Sequence, residues 1–589
     1  MRRIYSLCLL LSFSLVFIKC QKELSSVGSS DPDPVLPDPI SAKLQGTVVD
    51  ENGQAAAGVT ITVGPSTATT DAKGYFRINN ATLDKNAALV TAEKSGYFKA
   101  YRTFPATAAT NQVMIKLIKK ALAGTVTAST GGEVSLSTGA KVNFPANAIV
   151  TASSGAAYSG TVNVYASYID PSAADISQTV PGSFMANDKN GARVTLTSYG
   201  MMAVVLESAT GEKLQIKSGS SANLTTPIPS SLQSSAPATI ALWSVDEQTG
   251  VWKEEGTATK NGTNYVGAVS HFSFWNCDVS ASAVMMTVTL KNSDNAPIVH
   301  ANVRVKRTGS SPGQAYGWTD STGTVKGLVP ANEGLVLEVL DPCNNVVYSQ
   351  NIGPFAQATN LGTISVTIPG SSYITVKGTL KNCSGGNVTN GYAVVRVGDR
   401  VQHTALNASG EFTAHFISCS SLSGNVEVLG VDLGTLQQGS VITGSVISGL
   451  AQVGNISACG TSAAQFINYT LDGTNYSIGT GTDSLMAYTG PTNTGSAITT
   501  MISGYGNNSQ TNQLNLRFEH LTNTAGTYNI TSLYVGSFMQ STVTSPSTIV
   551  ITNFPTMIGQ FYEGTFSATF TATGAVHTLS GSFKIRKTF

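Results

Sequence analysis

The chain has little charge for its length, few cysteines, and no long apolar segment after its first twenty residues. Only 11% of its 589 residues are charged, against about 25% in typical soluble domains. Its formal net charge is +1, and the two signs are interspersed. Because nucleic-acid binding depends on a basic field that releases counter-ions, we expect no nucleic-acid partner.

The sequence also lacks the motifs of metal and cofactor chemistry. Its six histidines are isolated, none belongs to H-E-x-x-H, and no cysteines are spaced as Cys-x-x-Cys. A P-loop and a dinucleotide fingerprint are missing as well. We therefore expect no cofactor, no metal and no catalysis. Glycosidase carboxylates can lie far apart in sequence, which leaves open an enzyme with its site in the C-terminal region.

One string, Gly309-Ser310-Ser311-Pro312-Gly313, has the form G-x-S-x-G of a nucleophile elbow. The oxyanion hole of that elbow uses the backbone N–H of the residue after the serine. Here that residue is Pro312, which has no N–H. We interpret the string as a turn.

The cysteines are too few and too scattered to fix a disulfide framework. Beyond Cys8 and Cys20, five remain, namely Cys277, Cys343, Cys383, Cys419 and Cys459. In an oxidising compartment two of them can pair, and we favour Cys383 with Cys419 because both lie inside one proposed module. The odd count leaves at least one free thiol. Pairings cannot be derived from sequence, and buried reduced cysteine is the alternative.

What is present begins at the N-terminus, where Arg2 and Arg3 precede an apolar run from Ile4 to Ile18. A basic start with a short apolar core is typical of a secretory signal, and the run is short for a membrane span. We assign residues 1–19 to a signal peptide.

Cys20 lies where such a signal would be cut. The segment Phe17-Ile18-Lys19-Cys20 resembles a lipobox, with Lys19 where a small residue is usual, and the QKE that follows resembles the signal of surface lipoproteins of Bacteroidota type. The resemblance implies that Cys20 is lipidated and that acyl chains hold the protein on the outer membrane, exposed at the cell surface, at about 0.8 kcal/mol per buried methylene. An ordinary cleaved signal with a chance cysteine is the alternative.

Residues 27–40, VGSSDPDPVLPDPI, contain four prolines and almost nothing to bury. Proline fixes its own φ and biases the preceding residue towards extended conformations. We assign residues 20–42 to the lipid anchor and a semi-rigid, Pro-rich tether.

Period-two alternation then begins, bounded by Asn-Gly and Asp-x-x-Gly turns that indicate strands and hairpins. The segments are LQGTVVD (44–50), VTITV (59–63), TTDAKGYFRI (69–78) and SGY (95–97). In order and spacing they resemble the carboxypeptidase regulatory-like domain. The resemblance implies a transthyretin-like, seven-stranded β-sandwich related to carbohydrate-binding-like folds. The catalytic zinc domain of the carboxypeptidases has no counterpart in this sequence.

Three residues of this segment are assigned to the scaffold rather than to chemistry. Gly53 and Gly74 supply turn conformations that other residues reach only with strain. Asp71 can accept a hydrogen bond from the backbone two residues further on.

The same pattern recurs at 288–325 and 376–412, which predicts two more sandwiches. A shared strand-turn habit without common ancestry is the alternative. The proposed units are 43–118, a β-rich domain at 119–282, sandwich repeats at 283–370 and 371–458, and a C-terminal β domain at 459–589. The 119–282 unit weakly resembles the β-sandwich module shared by ankyrins and netrin receptors. We place its Trp243, Trp252 and Trp275 in the core rather than on a sugar-stacking platform.

The sequence thus predicts an all-β chain of tandem β-sandwich modules with a C-terminal antiparallel β domain. We expect a non-catalytic, lipid-anchored protein of the cell envelope that acts as an extended adhesion or ligand-binding stalk, with a glycan or protein ligand. The alternative is an accessory structural component of an outer-membrane assembly.

Overall fold

The structure is a computed structural model that describes residues 37–587, with gaps at 72, 310–311, 370–372, 399, 420–422, 433, 436, 463–464, 480–483, 492–496, 507–511 and 556–559. The expected signal peptide, Cys20 and most of the tether lie outside the described residues. Within them, regular structure is almost entirely strand, and the helical segments are single turns. The all-β prediction is confirmed. No helix of the described part is long and apolar enough to cross a membrane.

The first sandwich has seven strands, β1 (Pro39–Val49), β2 (Thr60–Val63), β3 (Ser66–Thr69), β4 (Tyr75–Asp84), β5 (Ala88–Glu93), β6 (Ala100–Phe104) and β7 (Thr110–Lys116). They form a three-stranded sheet in the order β4-β1-β7 and a four-stranded sheet in the order β3-β2-β5-β6. β1 runs antiparallel to β4 and parallel to β7. Alternate side chains of both sheets meet in one apolar core.

The first sandwich begins before residue 43, because Pro39 pairs with Asp84 in the β1–β4 ladder. The backbone N–H of Lys85 also donates to the Asp38 carbonyl at 2.9 Å. The β1–β4 ladder thus begins a few residues before the expected start of this unit at residue 43, since an edge position of a ladder tolerates proline.

The intervening domain follows with β8 (Leu122–Thr127), β9 (Gly132–Ser135), β10 (Lys141–Phe144), β11 (Ile149–Thr151), β12 (Thr161–Ile169), α1 (Ile176–Thr179), β13 (Met185–Asn187), β14 (Arg193–Ser208), β15 (Lys213–Ile216), β16 (Ala222–Pro227), a 3₁₀ turn (Ser230–Leu232), β17 (Thr239–Val245), β18 (Trp252–Asn261), β19 (Asn264–Val269) and β20 (Phe274–Lys291). One core of this domain is its own. A second core includes Phe98 and Tyr101 of the first sandwich and joins the two units.

Strand β20 runs straight through the expected boundary at 282/283. Its first half pairs with β14 and β17 of the intervening domain. Its second half pairs with strands of the next sandwich. The two units therefore share one continuous strand at the expected boundary.

The second sandwich combines the end of β20 with β21 (Asn302–Arg307), β22 (Gln314–Trp318), β23 (Thr324–Pro330), β24 (Leu335–Leu340), β25 (Val346–Ile352) and β26 (Thr359–Ser365). Its sheets have the orders β23-β20-β26 and β22-β21-β24-β25. This is the strand order of the first sandwich, repeated element by element.

The third sandwich contains β27 (Tyr373–Lys381), β28 (Gly391–Val397), β29 (Arg400–Ala405), β30 (Glu411–Ile417), β31 (Gly424–Asp432), β32 (Gln437–Gln438), β33 (Ile442–Val446) and β34 (Leu450–Ser457), followed by β35 (Thr461–Ser462). Its three-stranded sheet has the order β30-β27-β34, and its second sheet places β31 between β28 and β33. The same order thus occurs a third time.

One turn is common to the three sandwiches. The side chain of Asp71 accepts from two backbone N–H groups, those of residues 73 and 75. Asp320 and Asn407 accept from the groups two and four residues further on in the same way. Gly74, at φ 71°, completes the first of these turns, and a Cβ there would lie 2.2 Å from the Val48 carbonyl oxygen. Gly53 also has a positive φ of 77°.

The disulfide pairing expected from sequence, Cys383 with Cys419, is wrong. Cys383 pairs with Cys459, and Cys419 pairs with Cys343 of the second sandwich. Cys383 follows the end of β27, whereas Cys419 follows β30, whose last residue pairs with the start of β27. At about 3.3 Å per residue, a strand of nine residues keeps Cys383 and Cys419 apart. Cys277 is free and buried.

The C-terminal domain is an antiparallel sheet of nine strands, β36 (Phe466–Leu471), β37 (Thr474–Gly479), β38 (Ser484–Pro491), β39 (Ile498–Tyr505), β40 (Gln513–His520), β41 (Gly526–Val535), β42 (Phe538–Asn553), β43 (Phe561–Ala572) and β44 (Ala575–Arg586). Its strands surround a single apolar core. Ile467 of β36 and Leu485 of β38 both approach Gly504 on β39, so strands from both ends of the sheet share that core.

The modules do not follow one another in single file, because the first sandwich contacts every other unit. Thr103 donates to the Gly250 carbonyl of the intervening domain, and Thr107 donates to Asp320 of the second sandwich at 2.5 Å. Asp71 pairs with Arg396 of the third sandwich at 3.0 Å. Thr69 donates to the Thr489 carbonyl of the C-terminal domain. An extended stalk of successive modules does not describe this packing.

Candidate ligand-binding site

The outer face of the β4-β1-β7 sheet in the first sandwich is covered by the third sandwich. Gln45, Tyr75 and Arg77 on this face are at most 6% exposed. The Gln45 amide donates to the Val401 carbonyl at 3.0 Å, and its oxygen accepts from Arg77 and from the Tyr75 hydroxyl. Arg77 also donates to Nδ1 of His403 at 3.0 Å. These polar groups form hydrogen bonds with one another across a buried interface.

The histidines of this interface are held neutral. Burial, together with the positive charges of Arg400 and Arg77, lowers the pKa of His300 to about 3, and the His300 ring contacts the Gln45 amide at 3.4 Å. Burial, and then the charge of Arg77, lowers the pKa of His403 well below its ordinary value. The buried face is therefore a structural contact, with no acid or base poised for catalysis near neutral pH.

The equivalent face of the third sandwich is open, and we name it the sheet groove. Its floor is formed by alternate residues of β27 and β30, and it consists of two adjoining spaces of about 530 and 910 Å³ that share Lys377 and Thr413. The floor residues are Tyr373, Thr375, Lys377, Thr379, Glu411, Thr413 and His415. One wall comes from the second sandwich, at 292–294 and 366–368.

An aromatic pair lies at one end of the sheet groove. The rings of Tyr373 and His415 stack with centroids 5.1 Å apart and an interplanar angle of 19°. The amide of Asn292 donates to the Tyr373 hydroxyl at 3.0 Å, which ties the pair to the second sandwich. Burial raises the pKa of Tyr373 to about 12 and lowers the pKa of His415. Both rings are therefore uncharged at neutral pH.

The rest of the sheet groove offers hydrogen-bonding groups of several kinds. Lys377, Glu411 and Thr413 are exposed, and Asn407 donates to Glu411 at 2.9 Å. Gln452 and Asn455 line the far part of the groove. An open groove with an aromatic end and mixed donors and acceptors suits a hydroxylated ligand better than an apolar one.

A second space, which we name the junction cleft, lies where the first sandwich, the intervening domain and the second sandwich meet. Its volume is about 90 Å³, and Arg102, Gln112, Met185, Trp318 and Lys326 are among its lining residues. Arg102 spans the contact, because its guanidinium donates to the carbonyls of Met114 and Val180. The cleft is narrower than the sheet groove.

The three tryptophans predicted to be core residues are at most 2% exposed. Each indole N–H donates to a backbone carbonyl, Trp243 to Asp278, Trp252 to Ser183 and Trp275 to His271. A sugar platform at these positions is therefore ruled out, and the core prediction is confirmed. Sequence inspection did not single out Trp318, the half-buried tryptophan of the junction cleft.

The G-x-S-x-G string connects two strands, β21 and β22, rather than a strand and a helix. Ser310 and Ser311 lie outside the described residues. The Pro312 carbonyl accepts from Arg307 at 2.9 Å. This connection lacks the strand-to-helix geometry of a nucleophile elbow.

In the C-terminal domain, His520 contacts the Thr500 hydroxyl at 2.7 Å. Both residues are at most 4% exposed. The Thr500 hydroxyl also contacts the Thr489 hydroxyl, which in turn contacts the Tyr562 hydroxyl. These hydroxyls, with Thr489 half-buried between two buried residues, connect neighbouring strands of the domain.

The sequence did not identify the residues of the sheet groove as a candidate site, although their alternation with buried residues is visible in it. In the third copy the positions flanking the buried ones carry Thr375, Lys377 and Thr379 on one strand and Glu411 and Thr413 on its neighbour. Such alternation only shows that one face is polar. It does not show whether another module covers that face.

The family model of the carboxypeptidase regulatory-like domain matches residues 43–117. The first sandwich is a carboxypeptidase regulatory-like domain. Its seven strands fill the matched segment, and the turn of Asp71 and Gly74 lies inside it. In the second and third sandwiches, the likeness to the carboxypeptidase regulatory-like domain rests on the strand order and on the shared turn at Asp320 and Asn407. No curated protein matches the chain.

Several solved structures are similar to parts of the chain at low identity. The minor pilin GBS52 of Streptococcus agalactiae is 9% identical, over 30% of this chain and 94% of the pilin, with a TM-score of 0.14. The Bacillus anthracis TIE protein is 10% identical, over 74% and 76% of the two chains, with a TM-score of 0.15. BcpA, the major pilin subunit of Bacillus cereus, is 9% identical, over 71% and 99%, with a TM-score of 0.12.

Proposed function

We propose that the protein is a non-catalytic, lipid-anchored cell-surface protein that binds glycans, and that the sheet groove of the third sandwich is its binding site. The acyl chains on Cys20 would hold it at the outer membrane. The first sandwich, a carboxypeptidase regulatory-like domain, would serve as the hub that orients the other units around it.

The observation that carries this proposal is the open polar face of the third sandwich. The matching face of the first sandwich is closed by contacts of Gln45 and Arg77. The face with Lys377 and Thr413 is left free and bounded by a wall from the neighbouring module. Sugars combine apolar ring faces with many hydroxyls, and a groove with an aromatic end and dispersed polar groups offers both kinds of contact.

A glycan microarray on the ectodomain, followed by titration calorimetry with the strongest hit, tests the site. We expect Tyr373→Ala to weaken binding at least tenfold and Lys377→Ala to weaken it severalfold. Lys213→Ala, an exposed lysine on β15 of the intervening domain, is the matched control and should bind like the wild type. Equal binding by all variants would place the glycan site elsewhere.

An array without hits, together with co-purification of an envelope complex, would favour the accessory structural role instead. The anchor needs its own test. Metabolic labelling with a fatty-acid analogue should mark the wild type and not Cys20→Ala, and protease treatment of intact cells should release fragments of the protein. Unlabelled wild-type protein would exclude the lipid anchor.

A further inference from the structure

We propose that the junction cleft is a second ligand site, independent of the sheet groove, and that it takes a small organic carboxylate with a flat apolar body. The cleft lies among three units, and ligand sites commonly form where domains meet.

Arg102 is buried at the cleft, and no carboxylate of the described residues forms an ion pair with it. Its residue is 7% exposed. Its guanidinium donates to the Met114 carbonyl at 3.0 Å and to the carbonyls of Val180 and Gly182. All these partners are neutral. Burial lowers the pKa of Arg102 to about 9, so the side chain is still charged at neutral pH, and a buried cation without a paired anion is costly.

The described residues that line the cleft carry more positive than negative charge. Lys326 adds a second positive group, and Asp320 is the carboxylate among the described lining residues. Asp320 is already used, because it accepts from the backbone N–H groups of Thr322 and Thr324 and from the Thr107 hydroxyl. The lining therefore has one positive charge in excess, with no free acid to neutralise it.

The junction cleft is small, and part of its lining is apolar and aromatic. Phe184 and Met185 are buried beside it, and Tyr316 and Trp318 are half-buried at it. Gln112 also lines the cleft, and its amide oxygen is buried without a hydrogen-bond partner. The volume of about 90 Å³ equals about three waters at roughly 30 Å³ each, so the cleft takes a carboxylate head and the adjoining part of its apolar body. A carboxylate at Arg102 would pair with the excess positive charge, and its apolar body would pack against the aromatic side chains. The Gln112 oxygen is an acceptor and would make no hydrogen bond to the carboxylate.

The test compares benzoate with benzamide, which has the same ring and no charge, by calorimetric titration of the intact ectodomain. We expect benzoate to bind at least tenfold more tightly than benzamide. Lys326→Glu reverses the charge excess and should abolish the preference. Lys213→Glu makes the same charge change away from the cleft and should preserve it.

Arg102→Met removes the buried charge and should also abolish the preference for benzoate. Because this substitution can impair folding, Lys326→Glu is the decisive variant if Arg102→Met does not fold. Equal binding of benzoate and benzamide, no binding of either at 10 mM ligand (about 2.7 kcal/mol of binding free energy), or an equal loss in both lysine variants would each overturn the proposal. Glycan binding is expected to be unchanged in Lys326→Glu, which separates this site from the sheet groove.

Discussion

The first and third sandwiches share one strand order, but their three-stranded sheets face different surroundings. In the first, Gln45 and Tyr75 are buried against the third sandwich. In the third, the matching positions carry Lys377 and Glu411, which are exposed in the sheet groove. The comparison teaches that the same scaffold face serves as a structural contact or as a candidate binding surface, according to which side chains it carries and what covers it.

The largest expected effect comes from breaking the contact that closes the first sandwich. Asp71→Asn keeps the turn, since Asn407 makes the same turn in the third sandwich, but it removes the ion pair with Arg396. The two side chains are 3% and 11% exposed. We expect a loss of about 3–5 kcal/mol in the free energy of unfolding, as for other broken buried pairs, measured by urea denaturation.

Asp320→Asn in the second sandwich is the control, because Asp320 makes the same turn and contacts only a hydroxyl of the first sandwich. It should cost far less. Equal losses for the two variants would mean that the Asp71–Arg396 pair does not stabilise the interface.

We expect the two disulfides to have different roles, one in the stability of the third sandwich and the other in the geometry of the sheet groove. Each spans 76 residues, so the chain-entropy contribution of the two should be alike, about 2–4 kcal/mol. Replacing Cys383 and Cys459 by serine should destabilise the third sandwich itself. Replacing Cys343 and Cys419 should instead increase amide exchange in the groove wall at 292–294. The same exchange pattern in both double variants would contradict this division.

Mild acid should weaken the buried face first. The pKa of His300 is about 3 in the folded protein and about 6.5 when unfolded. Between these values the unfolded state binds more protons, so stability falls as the pH drops, by about 2 kcal/mol at pH 5. His300→Asn, which suits the positive φ of 54° at this position, should remove that part of the slope.

The measurement for His300 is the urea midpoint at pH 7 and pH 5. His271→Gln is the control, because His271 is partly exposed and pairs with Glu255. An unchanged pH dependence in His300→Asn would show that His300 does not contribute to the acid sensitivity.

The smallest effect distinguishes two matched glycines. A Cβ at Gly46 would lie 2.4 Å from the Val113 carbonyl oxygen, whereas at Gly378 the nearest atoms belong to the side chains of Val453 and Phe412. Because side chains move more readily than a sheet backbone, Gly46→Ala should cost about 1–2 kcal/mol more than Gly378→Ala. Thermal unfolding of the two variants measures this, and a larger loss for Gly378→Ala would contradict it.

Local patterning predicted much of the fold. The alternation of residues 44–50 and the turn at Asp71 and Gly74 depend on neighbours in sequence, and they identified the first sandwich. The shared strand β20 was not predictable, because an uninterrupted alternation looks the same whether one domain or two pair with it.

The amino-acid sequence by itself determined that this protein folds into β modules, and that three of them share one turn, because strand period and turn chemistry are local properties. Only the tertiary structure decided which cysteines pair, that the first sandwich contacts every other unit, and which polar face stays open. These outcomes depend on contacts between residues far apart in sequence, 76 positions for each disulfide and 356 for Gln45 with Val401. Such contacts leave no periodic trace in a single chain.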